Sequence, residues 1–117
     1  MKNMKRSNPS PQNLALVVDD EPDTLSMVSA ALEESGMSVI VARDGQTAID
    51  LVERVQPDVI LMDALMPLMD GFETCKRLKA PPLSVAAPII FMTGLTEPND
   101  VGRGLKAGGV DYVTKPV

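Results

Sequence analysis

Five short apolar runs, most of them rich in β-branched residues, punctuate the chain: Leu14 to Val18, Met37 to Ala42, Val59 to Met62, Ile89 to Met92 and Val110 to Val113. Most lack the polar alternation of a half-solvated strand, which predicts strands buried on both faces. The segments between them carry apolar residues at helical spacing. Leu25, Val28 and Leu32 share one face ahead of Gly36; Ala48, Leu51, Val52 and Val55 do so ahead of Pro57; Phe72, Cys75 and Leu78 form a third stripe. A fourth helix is predicted over Pro98 to Ala107, with Val101 and Leu105 on one side. Gly102 and Gly104 fall inside it, each costing about 1 kcal/mol relative to Ala, so a short, frayed or mobile helix is expected. Pro81-Pro82 and its neighbours read as a loop, and no internal repeat is visible.

Strands alternating with helices at this spacing predict an α/β domain with a parallel sheet, right-handed crossovers and helices on both faces. In such sheets binding groups gather at the carboxyl ends of the strands. Asp19, Asp20 and Glu21 follow the first run, Asp63 the third, Thr93 the fourth and Lys115 the fifth. Carboxylates held within a few ångströms repel one another unless a cation sits among them. Oxygen ligands without His or Cys select a hard ion, Mg²⁺ or Mn²⁺, which completes its shell with waters and a phosphoryl oxygen. An ammonium and a hydroxyl nearby supply a charge partner and a hydrogen-bond donor for the same phosphoryl group. Taken singly, each Asp reads as a helix cap, Thr93 as a turn residue and Lys115 as a surface charge. Their joint placement at strand ends favours a phosphoryl-transfer site.

Composition narrows the field further. A chain of 117 residues supports one domain. Eleven basic residues against sixteen acidic ones give a net charge of −5, the wrong sign for direct nucleic-acid binding or for an anionic membrane. Cys75 is the only cysteine and histidine is absent, which excludes an internal disulfide and a Cys/His metal cluster and suits a reducing, cytoplasmic setting. No apolar run approaches the roughly 20 residues of a membrane span. Met1 to Asn13 carries Lys2, Lys5 and Arg6 without an apolar segment and reads as a flexible leader to a domain over residues 14–117.

The motifs Val17-Val18-Asp19-Asp20-Glu21-Pro22, Asp63-Ala64-Leu65-Met66-Pro67-Leu68-Met69-Asp70-Gly71, Met92-Thr93-Gly94 and Asp111-Tyr112-Val113-Thr114-Lys115-Pro116 occur in that order. Together they resemble the receiver domain of two-component response regulators, from about Leu14 to the last residue. The resemblance implies a flavodoxin-like, doubly wound, five-stranded parallel sheet of order 2-1-3-4-5. It implies that Asp63 accepts a phosphoryl group from a histidine kinase or phosphotransfer protein, and that the change is passed to an output domain or effector. It implies Mg²⁺ bound directly by Asp20, through water by Asp19, and by Asp63 and the backbone carbonyl of Leu65. Lys115 and the Thr93 hydroxyl would each hold a phosphoryl oxygen, and Thr93 and Tyr112 would form the switch pair, with the fourth helix and fifth strand moving in response. Such a domain catalyses only its own phosphorylation and dephosphorylation. The Lys115-Pro116 bond is expected to be cis, a geometry that costs an X-Pro bond only about 0.5–1 kcal/mol.

Two features depart from the family pattern. A fifth helix normally follows the Lys-Pro turn, and its absence from this sequence predicts that Val17 or Val113 is partly uncovered, as in a piece of a longer regulator or a homodimer, or under the leader. Leu65, two residues after Asp63, offers only its backbone and cannot orient a water. Three other functions fit less well. A haloacid-dehalogenase-type Mg²⁺ phosphatase needs a second Asp where Leu65 stands. A flavodoxin-like cofactor binder needs a glycine- or hydroxyl-rich loop after the first strand and more aromatics than Phe72, Phe91 and Tyr112. An inactive pseudo-receiver, acting as an interaction module, would not need the full acidic set.

Overall fold

The computed structural model describes residues 13–93, 106, 108, 109 and 111–114, the side chains of Thr93 and of 111–114 excepted. The chain runs β1 (Leu14–Val18), α1 (Pro22–Glu34), β2 (Ser38–Ala42), α2 (Gly45–Val52), β3 (Val59–Asp63), α3 (Gly71–Lys79), β4 (Ile89–Thr93) and β5 (Asp111–Thr114). All four strand pairings are parallel, and the order is β2-β1-β3-β4-β5. The expected α/β architecture and strand order are therefore present. Residues 1–12 of the leader, residues 98–105 and 107 of the expected fourth helix, Lys115, Pro116 and their peptide bond lie outside the described residues.

Helix boundaries follow local chemistry. Pro22 opens α1, where its missing N–H removes no helical bond, and Gly36 closes it at φ +99, a left-handed conformation that suits glycine. Asp44 caps α2 by accepting from the Thr47 N–H at 2.7 Å, and Asp70 caps α3 by accepting from the Glu73 N–H at 2.8 Å. At the lower edge of the sheet Asp58 Oδ2 accepts the Leu14 N–H at 2.9 Å, tying the start of β1 to the loop that enters β3.

Strand alternation sends Leu16, Val18, Ile60, Met62, Ile89 and Phe91 to one face, against Ala48 of α2 and Phe72, Cys75 and Leu78 of α3. The Phe72 and Phe91 rings meet there at 5.1 Å and 43°. Val17 and Met92 point to the other face, beneath Leu25 and Val28 of α1. A small-residue contact brings α2 against α3, because a Cβ on Gly45 would collide with the Thr74 hydroxyl.

Four expectations are corrected. Val17 is fully buried rather than partly uncovered, because α1 lies across it. The second run forms an edge strand, so its double burial fails and Val41 stands 45% exposed. The α2 stripe does not continue to Val55, because the helix ends at Val52 and the Arg54 N–H turns back to the Leu51 carbonyl. The last strand extends to Thr114, one residue beyond the run Val110 to Val113.

The Asp44 cap gives a stability prediction. Hydrogen bonds from the Thr47 N–H and hydroxyl hold the Asp44 carboxyl below its ordinary value. Its contribution is therefore present above the unfolded carboxyl's titration range and lost as pH falls through the depressed folded value. Asp44→Ala is expected to lower unfolding free energy by about 1 kcal/mol at neutral pH in a urea titration, with the difference from wild type shrinking in acid.

Candidate functional site

The site is a consequence of strand register. Val18 pairs with Met62, so the residues that leave β1 arrive beside the end of β3. Asp19 is fully buried, Asp63 is 4% exposed and Asp20 is half-buried. Each offers a carboxylate oxygen, and the three oxygens lie within 4.8 Å of one another. The Asp19 N–H donates to the Ala42 carbonyl at 3.1 Å, and Asp19 Oδ1 accepts from the Glu21 N–H at 2.9 Å, which fixes the first carboxylate at the mouth of α1. Asp63 Oδ1 accepts from the Leu65 N–H at 3.4 Å.

Three ionised carboxylates at this spacing repel one another by about 3 kcal/mol per pair at an effective dielectric near 20. A divalent cation among them reverses the sign of that energy. The donor set is all oxygen, partly enclosed and open to water at Asp20, which fits Mg²⁺ or Mn²⁺ and no softer ion.

The loop after Asp63 explains the rest of its motif. Met66 turns into the core, whereas Leu65 is 56% exposed and Leu68 is fully exposed at φ 72. Asp70 then caps α3, and the Gly71 N–H donates to the Ala64 carbonyl at 2.9 Å. A Cβ on Gly71 would run into the Asp63 carbonyl oxygen and stand 2.9 Å from Ala64 Cα. Gly71 thus lets α3 begin directly against the end of β3. The sequence reading gave it no role, although an Asp-Gly pair before a helical stripe carries both the cap and the requirement for a small residue.

The remaining expected site residues are placed by backbone alone or lie outside the described residues. Thr93 ends β4, one step beyond Met92, which pairs with Asp63; Tyr112 pairs with Phe91 in the middle of β5. Lys115 follows β5, outside the described residues. The structure therefore brings Asp19, Asp20 and Asp63 together with Leu65 beside them, and puts Thr93 at the neighbouring strand end. Cys75 has no place in this chemistry: it is fully buried on α3, and burial pushes its thiol up to about 11, against a smaller opposing pull from the Lys79 charge.

A five-stranded parallel sheet with a cluster of carboxylates at its carboxyl edge places the chain among the α/β domains that carry an acidic candidate cation site at the strand ends. Residues 15–117 match the response regulator receiver domain, and the chain belongs to that family. The alkaline phosphatase synthesis transcriptional regulatory protein PhoP of Bacillus subtilis is 42% identical over 101 residues, 86% of this chain and 41% of that protein. The chain thus spans less than half the length of that regulator. Chemotaxis protein CheY4 of Vibrio cholerae superposes with a TM-score of 0.84 at 33% identity, covering 89% of this chain and 87% of its own. The receiver domain of sensor histidine kinase PA1611 from Pseudomonas aeruginosa PAO1 superposes with a TM-score of 0.81 at 32% identity, covering 90% and 86%; that structure holds a magnesium ion in its active-site cleft.

Gly71→Ala should displace the Asp63 backbone. A loss of about 1–3 kcal/mol in unfolding free energy is expected, as for other overpacked sites, together with weaker Mg²⁺ binding in a calorimetric titration. Unchanged Mg²⁺ affinity would show that the close approach does not shape the acidic cluster.

Proposed function

We propose that this receiver domain is a phosphoacceptor switch in which Asp63 takes the phosphoryl group of a phosphohistidine on a histidine kinase or phosphotransfer protein. A carboxylate oxygen of Asp63 forms the new P–O bond while the P–N bond of the donor breaks and the imidazole leaves with the electron pair. The observation that carries this reading is the cluster of Asp19, Asp20 and Asp63 at the end of β3. Asp20, Asp63 and the Leu65 carbonyl would hold Mg²⁺ directly and Asp19 through water. When bound, the ion neutralises charge that builds in a loose transition state. Lys115 would pair with one phosphoryl oxygen and the Thr93 hydroxyl would donate to another. The domain turns over no substrate of its own; it is phosphorylated, it loses the phosphoryl group, and its state is read by an output domain or effector.

Among the described residues no helix is long and apolar enough to cross a membrane, in keeping with action in the cytoplasm. The solved sensor-kinase receiver with magnesium in its cleft supports the choice of ion. An inactive pseudo-receiver would share the fold but has no use for three acids at one strand edge.

In the switch we assign, Thr93 moves toward the phosphoryl group and Tyr112 turns inward into the space it leaves. A complete swing from 1:99 to 99:1 needs about 5.5 kcal/mol of differential binding, so a few new hydrogen bonds give a partial shift.

Intact mass after incubation with acetyl phosphate and Mg²⁺ tests the acceptor: wild type should gain one phosphoryl group and Asp63→Asn none. Equal labelling of the two would overturn the assignment. For the switch, Tyr112→Ala should retain beryllofluoride binding but lose most of the accompanying amide shift changes in β4 and β5. A full wild-type response in that variant would remove Tyr112 from the mechanism.

A further inference from the structure

At the opposite end of the sheet from the acids, one side chain ties two strands together. Lys79 is the last residue of α3, where a lysine commonly turns back onto its own helix's final carbonyls. Instead its Nζ donates to the Val85 carbonyl at 3.0 Å and to the Ala87 carbonyl at 2.7 Å, in the segment that leads into β4. The Val85 N–H in turn donates to the Leu78 carbonyl at 2.9 Å, so this lead-in is fastened to the helix end from both sides.

The aliphatic part of Lys79 makes a second attachment. Gly108 adopts φ +107, and a Cβ placed on it would stand 2.8 Å from Lys79 Cγ and 3.5 Å from Lys79 Cβ. The Gly108 backbone, three residues ahead of β5, therefore lies directly on the lysine stem. β4 and β5 are neighbours in the sheet, with Ile90 paired to Asp111. One residue thus holds the lead-in to β4 by charge-assisted hydrogen bonds to Val85 and Ala87 and meets Gly108, ahead of β5, by close packing, with Thr93 and Thr114 paired at the far ends of the two strands.

We infer that Lys79 is a positioning residue that fixes the amino-terminal ends of β4 and β5 as one unit, so that signalling displacements are confined to the carboxyl ends of these strands. The confinement rests on the switch reading above; the tether itself does not. Hydrogen bonds to a charged donor are worth enough that losing two accelerates local opening by about tenfold or more.

The test is amide hydrogen exchange on the full chain, first without any phosphate mimic. Lys79→Met removes the donors, and with them the anchor that holds the stem against Gly108, so it should speed exchange in both Ile89–Thr93 and Asp111–Thr114 by about tenfold. Lys79→Arg, which restores donors, should return most of that protection. Faster exchange confined to residues 83–88, with β5 unchanged, would overturn the tether. Gly108→Ala provides an independent route should Lys79→Met fail to fold. Displacing the stem should loosen β4 as well as β5, and an effect on β5 alone would overturn the proposal.

Beryllofluoride with Mg²⁺ is then added. Wild type should change only at the carboxyl ends of the two strands, whereas in Lys79→Met the change should spread to their amino ends. Spread to the amino ends in wild type would overturn the confinement. A wild type that binds beryllofluoride without any change in β4 or β5 would sink the switch reading, and the exchange data collected without it would still decide the tether.

Discussion

Three carboxylates are forced together by a hydrogen-bonded ladder between β1 and β3. Each would stand apart from the others in water, yet the parallel register that pairs Val18 with Met62 leaves Asp19 and Asp63 no alternative position. The apolar residues behind them supply the energy that holds this arrangement. Leu16, Val18, Ile60 and Met62 are all fully buried, and each such side chain stabilises the fold by roughly 1.5–3 kcal/mol relative to exposure. That burial is of the same order as the repulsion among three ionised acids, so the rest of the core is needed to hold them together. The core thus maintains a local electrostatic tension which a divalent ion relieves.

The surroundings of Asp63 show how little freedom such a site has. Its carbonyl lies against Gly71, its carboxylate accepts from the Leu65 N–H, and the helix that begins at Gly71 carries Phe72 onto Phe91 of the adjacent strand. A shift of α3 therefore reaches Asp63 through backbone contact, and the aromatic pair links the same helix to the strand that ends in Thr93. Strand end, loop and helix form one packed unit, with only Leu65, Pro67 and Leu68 of the loop standing out in solvent.

Much of this was legible in the sequence because the informative signals are local. Continuous apolar runs flanked by acids mark strands that end at a polar edge, and the first four of the five runs fall on strands with at most one residue of difference at one end. What escaped is what depends on neighbours. Met37 to Ala42 reads as a buried strand, but its place at the edge of the sheet leaves Val41 exposed, and no feature of the run itself specifies an edge. Val55 continues the α2 stripe in periodicity, yet the helix closes at Val52 and Val55 joins the wall of a groove beside Pro57 and Leu83. Val17 reads as partly uncovered, yet Leu25 and Val28 of α1 reach across it, a contact between elements that no local pattern reveals. Strand ends point to the acids Asp19, Asp20, Glu21 and Asp63, of which Asp19, Asp20 and Asp63 cluster, whereas the steric role of Gly71 depends on how closely α3 approaches β3.

The bond between the Leu14 N–H and Asp58 carries a kinetic consequence. Its partners are 44 residues apart, and a parallel pair of strands cannot be joined by a tight hairpin. Uniting β1 with β3 therefore requires closure of a long loop that includes β2 and two helices, which places this domain among the slower folders of its size. In the unfolded chain Asp19 and Asp63 are far apart and present no ready-made chelator. An ion that recognises the finished cluster consequently stabilises the native state by mass action, without guiding the chain toward it.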